Sequence, residues 1–237
     1  MTGRQLIGVR TAALVLALLG LTGCASQAPA PARQVAAEAY HGVEPEPVPA
    51  RPSFALTATD GRRYDFAAET HGHPTYLYFG YTHCPDECPT AMADLATALR
   101  RQPAPLRDSA RVVFVTTDAA RDTGPVVRRW LGQFSSSFVG LTGTQAELDA
   151  AQRAAGLSPA SRAGPIPTLS GNPAAHPSEA GAAPHKHVGR LGYAVAHQNV
   201  ILAYDVSDRL PVLYPGGSTP ADIAADLPVL ARQKDRP

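Results

Sequence analysis

Cys84 and Cys88 stand four residues apart in the segment Gly80-Tyr-Thr-His-Cys-Pro-Asp-Glu-Cys-Pro89. The segment lies where a short aromatic and apolar run, Thr75 to Phe79, ends and a helix predicted over about Pro89 to Arg100 begins. Open α/β folds place their ligands at such strand ends. With one cysteine in the turn and the other in the first helical turn, this spacing lets the thiols face each other. The free N–H groups and the dipole at a helix N-terminus stabilise a thiolate and lower its pKa. Pro89 is tolerated there, because a first-turn residue has no intrahelical N–H bond to lose. The pair is built to ionise, and ionised thiolates serve either redox exchange or metal binding.

Dithiol oxidoreductases use Cys-x-x-Cys, so the three residues between Cys84 and Cys88 change the closure geometry and loosen a purely redox reading. Two soft thiolates favour Cu(I) or Zn(II). A closed structural zinc site takes four ligands, whereas Cu(I) is content with three, which leaves the ion accessible to a receiving protein. A third ligand must come from elsewhere in the chain. His197 precedes the apolar segment Val200 to Tyr204, which places it on a loop at a strand end. Position alone does not separate a ligand from a structural or merely exposed histidine. His83 is adjacent to Cys84 and points away if Cys84 faces the site.

The elements that must position these residues follow from patterning. Phe54 to Phe66 alternates around Asp60-Gly61, a hairpin signal. Thr75–Phe79, Arg111–Thr117 and Phe138–Leu141 are predicted strands, and Val126 to Phe134 a helix, with Trp130, Val126, Val127 and Phe134 on its core side. Thr144 and Glu147 form a capping box for a helix that stops at Gly156. Asn199–Asp205 and Leu210–Tyr214 make a second hairpin. Thr219 and Pro220 open a last helix, to about Arg232. Alternating strands and helices of this kind give an α/β layer with parallel central strands. The order is compatible with a thioredoxin-like fold, a central mixed sheet flanked by helices with a hairpin at each end.

The 21 basic and 20 acidic residues are evenly mixed, which argues against a nucleic-acid partner. Arg4 and Arg10 precede an apolar run, Thr11 to Leu21, too short for a bilayer-spanning helix and suited to a signal segment, 1–23. It ends in Leu21-Thr22-Gly23-Cys24, similar to a bacterial lipobox, so Cys24 is the expected lipid-attachment site. Export leaves Cys84 and Cys88 outside the reducing cytosol, where close thiols oxidise unless a metal or reductant holds them. Residues 24–50, rich in Pro and Ala, are expected to form a tether, with one domain over 51–237. Within it, 157–192 has no periodicity and carries His176, His185 and His187, a flexible insertion. These histidines are either a weak metal-capture arm or incidental to a solvated loop.

Tyr78-Phe-Gly-Tyr-Thr-His-Cys-Pro-Asp-Glu-Cys-Pro-Thr90 resembles the signature of the Sco/SenC copper chaperones of cytochrome c oxidase assembly. Val115–Thr123, Phe138–Gly143 and Val195-Ala-His197 are similar, in order, to further segments of that family. The resemblance implies a thioredoxin-like fold with copper, Cu(I) and in some states Cu(II), held by Cys84, Cys88 and His197. It also implies a copper-bearing oxidase subunit as client, with another copper chaperone and a thiol reductant as further partners. The chain departs from the pattern at Ala196, where the family has Asp, and at Thr117-Asp118-Ala119 in place of Val-Asp-Pro. Neither change removes a ligand, and Asp118 or Asp122 retains the option of orienting the site. The expected location is the extracytoplasmic face of the cell membrane. A Cys84–Cys88 disulfide would abolish copper binding. The alternative is an enzyme on the same fold, a thiol:disulfide reductase or peroxiredoxin-like peroxidase using the same pair. A metal buffer with no specific client is the third option.

Overall fold

Strand β1 (Ala55–Ala58) turns back into β2 (Arg63–Asp65) through Asp60-Gly61, with Gly61 at φ +88°, the left-handed conformation the turn requires. Asp65 then caps a short helix, α1 (Phe66–Thr70), by accepting from the Ala68 N–H. The chain continues as β3 (Thr75–Gly80), α2 (Glu87–Arg100), the short α3 (Ala104–Ser109) and β4 (Arg111–Thr116). Next come α4 (Gly124–Leu131), β5 (Val139–Thr142) and α5 (Gln145–Ala154). Two short strands, β6 (Ser161–Arg162) and β7 (Val195–Ala196), pair with each other. The chain ends with β8 (Val200–Tyr204), β9 (Val212–Pro215) and α6 (Pro220–Leu230). This computed structural model describes residues 40–162 and 195–232. The signal segment, Cys24, His176, His185 and His187 lie outside the described residues.

The main sheet has seven strands in the order β2-β1-β5-β4-β3-β8-β9. Strands β3, β4 and β5 are parallel, while β1 and β8 join their two edges antiparallel. Every residue of β3 is buried, as a strand covered on both faces must be. Alternation divides its side chains. Tyr76 and Tyr78, with Val112 and Phe114 of β4, face α2, α4 and α6. Leu77 and Phe79, with Val113 and Val115, face Phe66 of α1 and Leu148 of α5. The architecture is thioredoxin-like, a mixed sheet with helices on both faces.

Three expectations need adjustment. Helix α2 begins at Glu87, two residues before Pro89, so Cys88 lies inside its first turn. In α4 it is Val127 and Leu131 that are buried. Trp130 and Phe134 are partly buried and pack against the margin of that core, the Trp130 ring 5.0 Å from the rings of both Phe114 and Phe134. Residues 40–50, assigned to the tether, are folded: Val43 bridges Leu213 of β9 and Ala50 bridges Arg209 in the loop before it. His41 Nδ1 lies 2.6 Å from Asp226 Oδ1, and the Tyr214 hydroxyl donates to Asp226 Oδ2 at 2.7 Å. Arg51 is buried and donates to Asp208, Thr70 and the carbonyls of His73 and Asp205. These long-range partners outweigh a local composition that suggests a linker. Among the described residues no helix is long and apolar enough to cross a membrane.

Candidate metal centre

The register between β3 and β8 decides where the third candidate falls. Tyr78 pairs with Ile201, so residues preceding Val200 run past the end of β3, beside the turn that carries Cys84. The structure brings Cys84, Cys88 and His197 together, with one ligand atom from each within 4.8 Å of the others. All three are buried, at 5%, 0% and 6% exposure. Cys88 Sγ is 3.5 Å from His197 Nε2. On the other side of the ring, Nδ1 is 3.3 Å from the Gln198 carbonyl, which can only accept, so Nδ1 is a donor there and Nε2 is the ring atom that faces the sulfurs. His83 is directed instead toward Thr82 Oγ1, 3.2 Å away, and Asp122.

The two thiols are unequal. The Cys88 thiol, the His197 ring and the backbone N–H groups of Cys88 and Asp86 are directed at Cys84 Sγ and, against the effect of burial, hold its pKa far below that of an ordinary thiol. The Cys88 N–H approaches that sulfur at 3.4 Å, the helix N-terminus acting as an anion site. Burial and the neighbouring Cys84 charge push Cys88 the opposite way. The pair shares one proton, with the thiolate on Cys84.

Asp122 and Asp118, named from the sequence as able to orient the site, help build this arrangement, together with Gly80, Tyr81 and Arg121, which sequence reasoning did not single out. The carboxylate of Asp122 is fully buried and accepts from Thr82 N, Thr82 Oγ1 and Thr116 Oγ1 at 2.6–2.9 Å, tying the cysteine turn to the end of β4. Asp118 pairs with Arg121, whose guanidinium lies over the Tyr81 ring. Tyr81 in turn meets the His197 ring edge-on, with centroids 5.6 Å apart. Asp122 thus braces the cysteine turn directly, and Asp118 reaches His197 through Arg121 and Tyr81. Gly80, the last residue of β3, leaves room for Cys88 Sγ, which would lie 2.8 Å from an added Cβ. The signal for Gly80 in the sequence is a glycine between a buried strand and the cysteine turn. A groove of about 1010 Å³, lined by Asp86, Glu87, Asp94, Ser158, His197 and Asn199 among others, opens beside His197.

The SCO1/SenC family profile matches residues 43–160. This chain belongs to the SCO1/SenC family. It is 39% identical over 87 residues to the protein SenC of Rhodobacter capsulatus, covering 34% of this chain and 36% of that one. Among solved structures, Bradyrhizobium japonicum ScoI, determined with copper bound, superposes with a TM-score of 0.57 at 26% identity, over 77% of this chain and 99% of that one. Apo Sco1 of Thermus thermophilus shares the fold, with a TM-score of 0.63 at 24% identity over 82% and 99% of the two chains. The chain spans half or less of the length of the curated relatives it matches. The profile match stops short of His197, so the position of that histidine in this SCO1/SenC domain rests on the fold itself.

Proposed function

We propose that this chain is a Cu(I) chaperone held at the extracytoplasmic face of the membrane through Cys24, serving assembly of the dinuclear copper site of cytochrome c oxidase. Cys84, Cys88 and His197 are the copper ligands in this reading. The observation that carries it is the convergence of two sulfurs and an imidazole nitrogen within 4.8 Å. Metal–ligand bonds of about 2.0–2.3 Å place the donors of a trigonal ion about 3.7 Å apart, close to the 3.5 Å between Cys88 Sγ and His197 Nε2. Soft donors and a coordination number of three suit Cu(I), and the adjoining groove gives a receiving protein access for ligand exchange. Family membership and the copper-bound ScoI structure support copper as the cargo. The lipobox-like Leu21-Thr22-Gly23-Cys24 supports the anchor.

The test is Cu(I) titration of the reduced protein under a competing chelator, alongside His197→Ala. Wild type is expected to bind one equivalent, and the variant to bind at least tenfold more weakly with its fold intact. Equal affinity in the two proteins would remove the three-ligand site.

The thiol pair also favours a second reading, a thiol:disulfide reductase, because a stabilised Cys84 thiolate beside a protonated Cys88 is the arrangement such an enzyme needs. Disulfide-reductase turnover that is equal with and without copper, and indifferent to His197→Ala, would favour it.

A further inference from the structure

Tyr78 touches both halves of the site. It is fully buried on β3, with its hydroxyl 3.7 Å from Cys88 Sγ and 3.0 Å from Asn199 Oδ1. Its ring meets the His197 imidazole edge-on, with centroids 6.2 Å apart. Asn199 follows His197 in the connector to β8 and is itself held in place. Its carbonyl accepts the Gly216 N–H at 3.0 Å. Its amide fills the space beside Gly216, where an added Cβ would stand 2.3 Å from Asn199 Nδ2. A phenol has one proton to donate, and here that proton faces two acceptors, a sulfur on α2 and an amide oxygen on the His197 connector.

The geometry points to Tyr78 as a positioning residue whose hydroxyl holds the Cys88 sulfur and the His197 connector in one frame, donating to Asn199 or to Cys88 as the sulfur's state requires. A hydrogen bond to a sulfur bearing negative charge is stronger than one to a neutral amide oxygen. The proton therefore turns to Cys88 when that sulfur is a metal-bound thiolate, and stays with Asn199 when it is half of a disulfide. The metal-bound half of this assignment rests on the copper reading above. Reduction of a Cys84–Cys88 disulfide by dithiothreitol takes two electrons and one proton, breaks the S–S bond and leaves a Cys84 thiolate and a Cys88 thiol. Dithiothreitol closes to its cyclic disulfide. The reduced Cys88 sulfur, which shares its proton with the Cys84 thiolate, carries more negative charge than the same sulfur bonded in a disulfide, so the Tyr78 hydroxyl turns toward it on reduction and favours the reduced state.

Tyr78→Phe removes the hydroxyl and keeps the ring. Two quantities test it: the midpoint potential of the metal-free protein in dithiothreitol redox buffers, and Cu(I) affinity under chelator competition. Tyr76→Phe is the control, since the Tyr76 hydroxyl is also buried, two residues earlier on the same face, and donates to the Ile223 carbonyl, at 3.4 Å, rather than to either half of the site. Tyr78→Phe is expected to make the disulfide about tenfold harder to reduce, a fall of about 30 mV for a two-electron couple, and to weaken Cu(I) binding about tenfold. Tyr76→Phe should leave both values in place. The assignment is overturned if Tyr78→Phe leaves either quantity at the wild-type value, or if Tyr76→Phe shifts both as far. A wild-type protein that takes up no Cu(I) would instead mark failure of the copper reading, and the potential alone would then decide Tyr78.

Discussion

Cys88 Sγ lies 2.8 Å from the point where a Cβ on Gly80 would stand, so the sulfur rests directly on the backbone at the end of β3. The same Cβ would come within 2.7 Å of the Tyr78 ring and 3.2 Å of the Phe114 ring. Both rings are locked in the core, and neither can yield cheaply. Gly80→Ala is therefore expected to cost about 1–3 kcal/mol by overpacking and to push the sulfur out of line with His197. Urea unfolding should read the first effect. Chelator competition should show a loss of Cu(I) affinity that persists at temperatures where the variant is fully folded.

The opposed pKa shifts of the cysteines give the reduced, metal-free protein a signed pH dependence. Cys84, lowered, contributes stability that is complete above the ordinary thiol range and is lost as pH falls toward its folded value. Cys88, raised, acts oppositely: above the ordinary thiol range the unfolded thiol ionises and the folded one does not, so stability declines. Relative to a Cys84→Ser, Cys88→Ser double variant, the unfolding midpoint should climb from acid to neutral pH and drop in alkali. Thiolate absorbance near 240 nm should persist below pH 6 and vanish in Cys84→Ser. A pair titrating together in the ordinary thiol range would contradict this.

Asp122→Ala should loosen the cysteine turn from a distance. Its buried carboxylate accepts three hydrogen bonds, two of them from Thr82. Their loss leaves buried donors unpaired, at about 1–3 kcal/mol for each group left unsatisfied. The expected signature is faster amide exchange at Thr82 and Cys84, together with a lower unfolding midpoint. Exchange confined to α4 would place the role of Asp122 elsewhere.

His41 offers a separate handle on the N-terminal segment. Its hydrogen bond to Asp226 raises the imidazole pKa. A raised histidine contributes fully below its ordinary pKa and loses that contribution as pH rises through the raised value. After correction for intrinsic rates, amide protection at Val43, whose N–H donates to the Leu213 carbonyl, should weaken over that interval. His41→Ala should abolish the dependence without altering the metal site.

The cysteine turn and the helix caps were legible in the sequence because each is decided within a few residues. The capping box at Thr144 and Glu147, and the thiolate-favouring position at the start of α2, depend on local backbone geometry alone. Asp222, which completes a second box with Thr219, was within the same reach and went unread. His197 was different. Its nearness to the cysteines depends on the antiparallel register of β3 and β8, a pairing across more than a hundred residues that no local pattern encodes. The 40–50 segment was misassigned for the same reason. Its prolines speak for a linker, while the partners that fold it, Leu213, Arg209 and Asp226, come from the far end of the chain.

The shared proton of Cys84 and Cys88 has an electrical consequence. Before loading, the buried site carries the single negative charge of the Cys84 thiolate. In the proposed complex, with Cu(I) bound by both sulfurs and a neutral imidazole, two thiolates and one monovalent cation would again sum to minus one. Loading would then be an isoelectric exchange, one proton out for one copper in, with no change in the net charge that the surrounding residues see. A site of this kind has no need to recruit a counterion or to reorganise its low-dielectric surroundings when cargo arrives or leaves. Its apparent copper affinity should rise about tenfold for each pH unit over the range in which Cys88 keeps its proton in the empty protein.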